Sequence, residues 1–380
     1  MKTEQVKIKS GTSADAALKN ILGMQPDLVL VYAPSKEFAA SGSVKAVADK
    51  FSKSTLLVGC SHAGGITSED LDDTDTIVTG CKFNKPNFKA VSSTVSNMDD
   101  SHRAGKELAE KLDKNGLKAL FILGPGLNIN GSGVIAGIRE VVGPNVIITG
   151  GLAGDGTDFK QTYTVLNGQI SNNQIAGFAI YGDDVKVAYG SMGGWEAFGP
   201  IRKITKSKAN VLYELDGEPA LDLYKKYLGD AAAGLPASGL NFPFAILNDN
   251  QDASGVVRTL LAVDEATKSL VLAGDMPEGG RVRLMHSTKQ GLVDGAQGAA
   301  KMASDIAKGN AHEGLAVLIS CVGRKIVMGS DIEDELDAVK SVFPKMPMTG
   351  FYSYGEICPQ SGVLDCKLHN QTMTITYIFE

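Results

Sequence analysis

Apolar positions along this chain gather into short continuous runs that recur in pairs. Residues 28–33 (LVLVYA) pair with 55–61 (TLLVGCS), 119–124 (ALFILG) with 146–151 (VIITGG), and 316–321 (AVLISC) with 347–353 (PMTGFYS). In the first two pairs the second run begins 27 residues after the first, the spacing of a strand–helix–strand crossover. Each pair ends in a glycine-bearing polar elbow. The elbows are Gly59-Cys60-Ser61-His62-Ala63-Gly64-Gly65, Gly150-Gly151-Leu152-Ala153-Gly154-Asp155-Gly156, and Gly350-Phe351-Tyr352-Ser353-Tyr354-Gly355-Glu356. Short apolar runs joined by a helix predict buried parallel strands. Ligands of such sheets collect where strand ends and glycine turns converge, so the elbows mark candidate sites.

Alternating runs follow each elbow and predict hairpins or meanders: 76–83 and 88–95 after the first, then 162–166, 175–181 and 185–190 after the second. Residues 368–379 (LHNQTMTITYIF) predict a last strand. Antiparallel strands added to parallel crossovers give mixed sheets. The expected fold class is therefore α/β (mixed α+β), with two related halves built from strand–helix–strand units and added antiparallel hairpins. Helices are predicted over 99–114, with Ala104, Leu108 and Leu112 on one face, and over 219–228, which opens on Pro219 and stops at Gly229. A third, around 291–308, is rich in Ala and Gly and so is expected to lie close against a neighbouring element. The lysine-bearing stretch 201–210 (IRKITKSKAN) marks a composition change, which sets a boundary between about 200 and 212 and domains of 1–205 and 206–380. Residues 228–241, heavy in Gly, Ala and Pro, read as a second loop.

Composition narrows the class without naming it. A chain of 380 residues, 43% hydrophobic and 21% charged, has ample material for two buried cores. A net charge of −6 with no basic stretch argues against nucleic-acid or anionic-membrane partners. The scattered, odd-numbered cysteines Cys60, Cys81, Cys321, Cys358 and Cys366 form neither a disulfide framework nor a zinc pattern. The first residues lack the apolar core of a signal peptide, and no run reaches transmembrane length. A cytoplasmic protein with reduced thiols is expected. No output module is recognisable after the last strand, so a sensor of this kind would signal through another protein.

Several familiar motifs fail on inspection. Gly124, Gly126, Gly131, Gly133 and Gly137 follow a strand and precede a helix, but their spacing departs from GxGxxG, and they read as easing a tight turn. Walker lysine, HExxH and GxSxG patterns are absent. Arg324, just after a strand end, can grip a carboxylate bidentately or form a structural ion pair with Glu356 or Glu335. Asp155 and Glu356 lie at matching places beyond their elbows. They can hold a ligand ammonium or act as acid and base, or they can accept hydrogen bonds from loop amides. Cys60 and Cys321 end strands of two units and can shuttle protons at one substrate, as in cofactor-independent racemases, or serve as small buried hydrophobes. His62 and its neighbour Ser61 sit in the first elbow, while His369 and Asn370 open the last strand. His102, His286 and His312 stand apart without metal-ligand spacing, although haem needs only one axial histidine.

With these segments assembled, the chain resembles the FIST sensory-domain proteins over nearly its whole length. The N-terminal half is similar to the FIST N domain through Leu57-Val58-Gly59-Cys60-Ser61 and the second elbow. The C-terminal half is similar to the FIST C domain through residues 211–224, Gly274-Asp275-Met276-Pro277-Glu278-Gly279, the Ser320–Arg324 stretch, residues 350–357 and Leu368-His369-Asn370-Gln371-Thr372. The resemblance implies a sensory, ligand-binding role in signal transduction, with small ligands such as amino acids. Haem binding with a response to nitric oxide is implied for some members. His62 departs from the pattern, standing where related sequences often carry a small hydroxyl residue. The leading expectation is a stand-alone sensor without catalysis, binding an amino-acid-like ligand between its halves. The candidate contacts are Cys60, Ser61, His62, Asp155, Cys321, Arg324, Glu356, His369 and Asn370. A haem-binding gas sensor and a thiol-dependent racemase or hydrolase are the alternatives.

Overall fold

The computed structural model describes residues 1–40, 42–251, 253–308, 314–360 and 364–380, so His312 lies outside the described residues. One unit recurs three times along the chain. Unit I runs β1 (Lys2–Ile8), α1 (Ala14–Ala17), α2 (Lys19–Met24), β2 (Leu28–Ala33), α3 (Ser43–Ala48) and β3 (Leu56–Ser61). It then makes a short hairpin, β4 (Gly65–Ile66) and β5 (Leu71–Asp72), and closes with β6 (Thr76–Lys82). Unit II repeats the order with β7 (Phe88–Thr94), α4 (Ser101–Glu110), β8 (Leu117–Gly124), α5 (Gly131–Val142) and β9 (Ile147–Leu152). Its hairpin is β10 (Thr164–Leu166) and β11 (Gln169–Ser171), and its closing strand is β12 (Gln174–Tyr181).

Unit III opens with β13 (Lys186–Met192) and is then interrupted by a lobe. The lobe comprises β14 (Glu196–Lys208), β15 (Val211–Leu215), β16 (Glu218–Pro219), α6 (Ala220–Leu228) and β17 (Phe244–Leu247). It continues with β18 (Ala253–Arg258), β19 (Leu260–Asp264), β20 (Ser269–Leu272) and β21 (Arg281–His286). The unit resumes with α7 (Lys289–Ile306), β22 (Gly314–Cys321), α8 (Val322–Met328), α9 (Glu333–Val342) and β23 (Met348–Ser353). The hairpin β24 (Gly355–Pro359) and β25 (Cys366–His369) and the closing strand β26 (Met373–Phe379) complete it. The mixed α/β class holds, with the N-terminal half carrying two copies of the unit and the C-terminal half the lobe and the third. Residues 205 and 206 lie within the continuous strand β14.

The three six-stranded sheets share one strand order: β1–β6–β2–β3–β10–β11, β7–β12–β8–β9–β24–β25, and β13–β26–β22–β23–β4–β5. The central pair is parallel in each (β2 with β3, β8 with β9, β22 with β23), and the flanking pairs are antiparallel. Every unit donates its hairpin to a neighbour's sheet: I to III, II to I and III to II. This corrects the meanders expected from sequence. β6 and β7 belong to different sheets, and β10, β12 and β13 to three. Short alternating strands carry no label for their partner. The strand expected over 368–379 also divides, because Asn370–Thr372 turn between β25 and β26.

Alternation along the parallel strands explains the layers. Leu28, Leu30 and Tyr32 of unit I, Phe121 and Leu123 of unit II, and Leu315, Val317 and Ile319 of unit III face one central core. The intervening residues face outward and are covered by helices: Val29 and Val31, Leu120 and Ile122, Ala316 and Leu318. Strands buried on both faces are why these runs read as continuously apolar. Gly59, Gly150 and Gly350 lie opposite Val31, Ile122 and Leu318 in equivalent registers, and a Cβ on any of them would overlap the carbonyl oxygen of that partner. The glycines of the elbows are thus a packing requirement of the unit. The lobe has its own apolar core around Leu212, Leu221, Tyr224, Leu260 and Leu284.

Candidate functional site

The three elbows meet. Gly154 N–H donates to the Ser61 carbonyl at 3.0 Å, Ala63 N–H to that of Tyr352 at 2.9 Å, Tyr352 N–H to that of Gly64 at 2.7 Å, and Tyr354 N–H to that of Leu152 at 3.1 Å. Backbone bonds close their junction, and the large cavity opens beside it. This cavity, of about 520 Å³, lies between the start of α5 in unit II, the β22–α8 junction of unit III, and the lobe.

Of the residues singled out from sequence, Cys321 and Asn370 line the cavity. Cys321 precedes α8, and burial together with the nearby Glu356 carboxylate pushes its thiol well above the ordinary range. Asn370 sits in the turn between β25 and β26, buried, and its side-chain oxygen has no hydrogen-bond partner among the described residues. Thr259, which carries no signal in the sequence, also lines the cavity, and its hydroxyl oxygen is likewise buried and unpartnered among the described residues. Native proteins pair nearly all buried polar atoms, so two orphans on lining residues of one cavity mark it as the candidate ligand site.

The other candidates are committed elsewhere. Arg324 is fully buried, and all its donors have protein acceptors. Nε and Nη2 each approach Glu335 Oε2 at 2.7 Å; Nη2 also donates to the Leu292 carbonyl at 2.7 Å, and Nη1 to those of Gly193 at 2.6 Å and Gln371 at 3.3 Å. Ser320 Oγ donates to the other Glu335 oxygen at 2.6 Å. This is the structural ion pair with Glu335, which leaves no donor for a ligand carboxylate.

Asp155 organises a loop. Its carboxylate accepts the N–H groups of Phe159, Lys160 and Gln161 at 3.0, 2.7 and 2.8 Å, and the Tyr354 hydroxyl. Partial burial works to raise its pKa, but these hydrogen bonds outweigh it and hold the carboxyl below the usual aspartate value. The loop so fixed stacks Phe159 on Tyr354, ring centroids 4.6 Å apart, as one wall of the cavity. Counted from Gly150 and Gly350, Asp155 matches Gly355 and not Glu356, so the two acids are one position out of step.

Cys60 belongs to the central core, and burial pushes its thiol far up. Ser61 Oγ accepts Tyr163 N–H at 2.9 Å. His62 Nδ1 accepts Gly64 N–H at 3.0 Å, leaving Nε2 buried without a partner among the described residues; burial lowers its pKa to about 4. His369 Nε2 lies 2.9 Å from the Cys358 carbonyl and is likewise held to about 4, so it is a neutral core histidine. None of these four lines the cavity.

Glu356 is fully buried, accepting from Ser353 Oγ at 2.7 Å and Thr372 Oγ1 at 2.9 Å. Burial raises its pKa from 4.5 to about 8 despite these bonds. The folded chain therefore binds this proton more tightly than the unfolded chain. That stabilisation is fully present below about pH 4.5 and is lost as pH rises through about 8. Glu356→Gln is expected to flatten the decline of urea-unfolding stability between about pH 5 and pH 8; superimposable slopes in variant and wild type would assign the decline to another group.

A glycine-rich stretch passed over as a turn also contributes. Asn130 caps α5 by accepting Gly133 N–H at 3.1 Å, and its side-chain amide donates to Asp275 Oδ1 at 3.1 Å across to the lobe. Gly126 and Gly131 line the cavity, whereas a Cβ on Gly137 would strike the His102 carbonyl of α4. The signal for Asp275 is the Gly274–Asp275 pair, whereas sequence offers none for Thr259, a lone threonine at the junction of β18 and β19.

The FIST N domain model matches residues 27–218, and the FIST C domain model matches residues 220–359. The chain belongs to the FIST family, whose domains are associated with sensory signal transduction and small-ligand binding. Uncharacterized protein MJ1623 of Methanocaldococcus jannaschii is 24% identical over 370 residues, covering 85% of this chain and 68% of the relative. Among solved structures, cyanuric acid hydrolase from A. caulinodans aligns at a TM-score of 0.37 and 8% identity, covering 99% of this chain and 98% of that one. A second, titled "Cyanuric acid hydrolase: evolutionary innovation by structural concatenation", aligns at 0.32 and 8%, with the same coverage. Neither likeness bears on the chemistry of this chain. No helix among the described residues is long and apolar enough to cross a membrane.

Proposed function

We propose that this FIST protein is a sensor that binds a small ligand, without turnover, in the 520 Å³ cavity between unit II, unit III and the lobe. The observation that carries the reading is the pair of buried oxygens on Asn370 and Thr259, unpartnered among the described residues, within a mainly apolar lining. The volume falls within the range of about 300–1,000 Å³ common to small-molecule sites. The ligand is bound by parts of both sequence halves, so its arrival can alter how the lobe seats on the units. In this reading the output belongs to a separate signalling protein. The five free, buried cysteines suit a reducing compartment such as the cytoplasm.

The geometry favours this over its rivals. An amino-acid-like ligand needs a free cation and a free acid facing one space, but Arg324 and Asp155 are both committed, and no Lys, Arg or His lines the cavity among the described residues. The residues also fit haem poorly. Of the axial donor types, the lining among the described residues offers no histidine, a thiol held protonated in Cys321, a Tyr354 hydroxyl already given to Asp155, and the exposed Met98. A two-thiol racemase needs both thiols at one substrate, and Cys60 is in the central core.

Native mass spectrometry tests the reading. Wild-type protein incubated with a small-molecule cell extract is expected to retain a ligand, and Ala237→Trp, an exposed substitution at the cavity lining, is expected to lose it. Equal retention by the variant would move the site away from this cavity.

A further inference from the structure

The exposed apolar side chains of the molecule are not scattered. Of eight large hydrophobics that are exposed among the described residues, four line this one cavity: Met98, Phe159, Leu261 and Ile326. They come from both unit II and unit III and from the lobe, so an apolar rim surrounds the opening. Isolated exposed hydrophobics are ordinary, whereas a cluster around a concave site marks a surface that binds apolar matter. The lining also includes Leu240, Leu260, Leu272 and Leu368, together with Asn370 and Thr259, whose side-chain oxygens are buried and unpartnered among the described residues.

Charge limits what can enter. Among the described residues, the one carboxylate in the lining is Asp275, whose Oδ1 accepts from Asn130, and no Lys or Arg lines the cavity. Arg258 stands behind the backbone of Gly274, where a Cβ would come within 2.8 Å of its Nε. It is turned to main-chain oxygens, Nε to Asp275 at 3.2 Å and Nη1 to Leu368 at 3.0 Å, and is not part of the lining. An anionic head group inside would lose its water and gain no lining cation.

Resting on the cavity reading above, we propose that the ligand is an uncharged, elongated apolar molecule with a hydrogen-bond-donating head, a hydroxyl or a primary amide. The head meets Asn370 and Thr259, and the chain runs out between Phe159 and Leu261. This names a ligand class distinct from the amino acids and haem implied by resemblance. A site that hydrogen-bonds a donor discriminates strongly against analogues that lack it, because its own buried acceptors are otherwise left unpaired.

Displacement of the neutral dye Nile red from the full-length protein tests the proposal with four probes: 1-decanol, decanamide, decanoate and the methyl ether of decanol. Decanol and decanamide are expected to displace the dye at about tenfold lower concentration than decanoate or the ether. Asn370→Leu is expected to erase that preference while retaining Nile red. Thr259→Val, nearly isosteric, is expected to reduce it without disturbing folding. Decanoate or the ether competing as well as decanol would overturn the head-group assignment, as would an unchanged preference in a folded Thr259→Val protein. Those failures leave the dye bound and the cavity reading intact. Failure of Nile red itself to bind would bring down the cavity reading and this proposal together.

Discussion

Replacing Arg324 by alanine is expected to lower unfolding free energy by about 3–5 kcal/mol, because it strands Glu335 as a buried charge without its partner. The guanidinium holds more than one carboxylate: it joins α7 through the Leu292 carbonyl, the end of β13 through Gly193, and the β25–β26 turn through Gln371. Its loss therefore loosens the segment that presents Asn370 to the cavity. Urea denaturation gives the size of the effect. A double variant, Arg324→Met with Glu335→Leu, is expected to recover much of the loss, since paired apolar replacements avoid the stranded charge. If Arg324→Ala instead keeps full stability and loses only ligand binding, the guanidinium is a ligand contact and the structural assignment is wrong.

Gly150→Ala and Gly350→Ala are expected to be as damaging, at roughly 4 kcal/mol or more each, by driving a methyl group into the carbonyl oxygens of Ile122 and Leu318. Main-chain oxygens on a fully buried parallel strand have nowhere to move. Gly150 adds a φ of +137°, which L side chains rarely adopt. Gly116→Ala is the control: its φ is +76°, but open space surrounds it, so about 1–2 kcal/mol of backbone strain is expected. Thermal melts of the three variants separate steric overlap from conformational preference. Similar losses in all three would make φ, not the close approach, the reason for these glycines.

The repeated units were legible because each parallel strand is buried on both faces. LVLVYA and ALFILG therefore appear as unbroken apolar runs with glycine at a fixed register. Helix α6, opening at Ala220 after Pro219, and helix α7, rich in Ala where it packs on unit III, were legible for equally local reasons. Partnering of the edge strands was not. β10 spans Thr164–Leu166 and pairs with β3, and nothing in so short a segment encodes a neighbour about a hundred residues earlier. The candidate site was half legible for a related reason. Elbow chemistry drew attention to charged residues, yet buried charges such as those of Arg324 and Asp155 are stable only when the protein itself satisfies them. The atoms that the proposed reading gives to a ligand are modest ones, an amide oxygen and a hydroxyl, without partners among the described residues and set on the lining of one cavity.

The exchange of hairpins sets an order in which the molecule can be finished during translation. β10 and β11 are made in time to complete the sheet of unit I, and β4 and β5 are waiting when unit III emerges. Unit II is the exception. Its strand β9 pairs with β24, which leaves the ribosome about 200 residues later, an interval of roughly 10–40 s at common synthesis rates. Throughout that interval β9 offers an unpaired edge next to the second elbow, the kind of edge that recruits foreign strands. The cavity wall built on Leu152, Tyr354 and Leu368 comes into being only after β24 and β25 have been made. A nascent chain that has not yet made β24 and β25 lacks this wall, so the cavity forms later than the strands of unit II that border it.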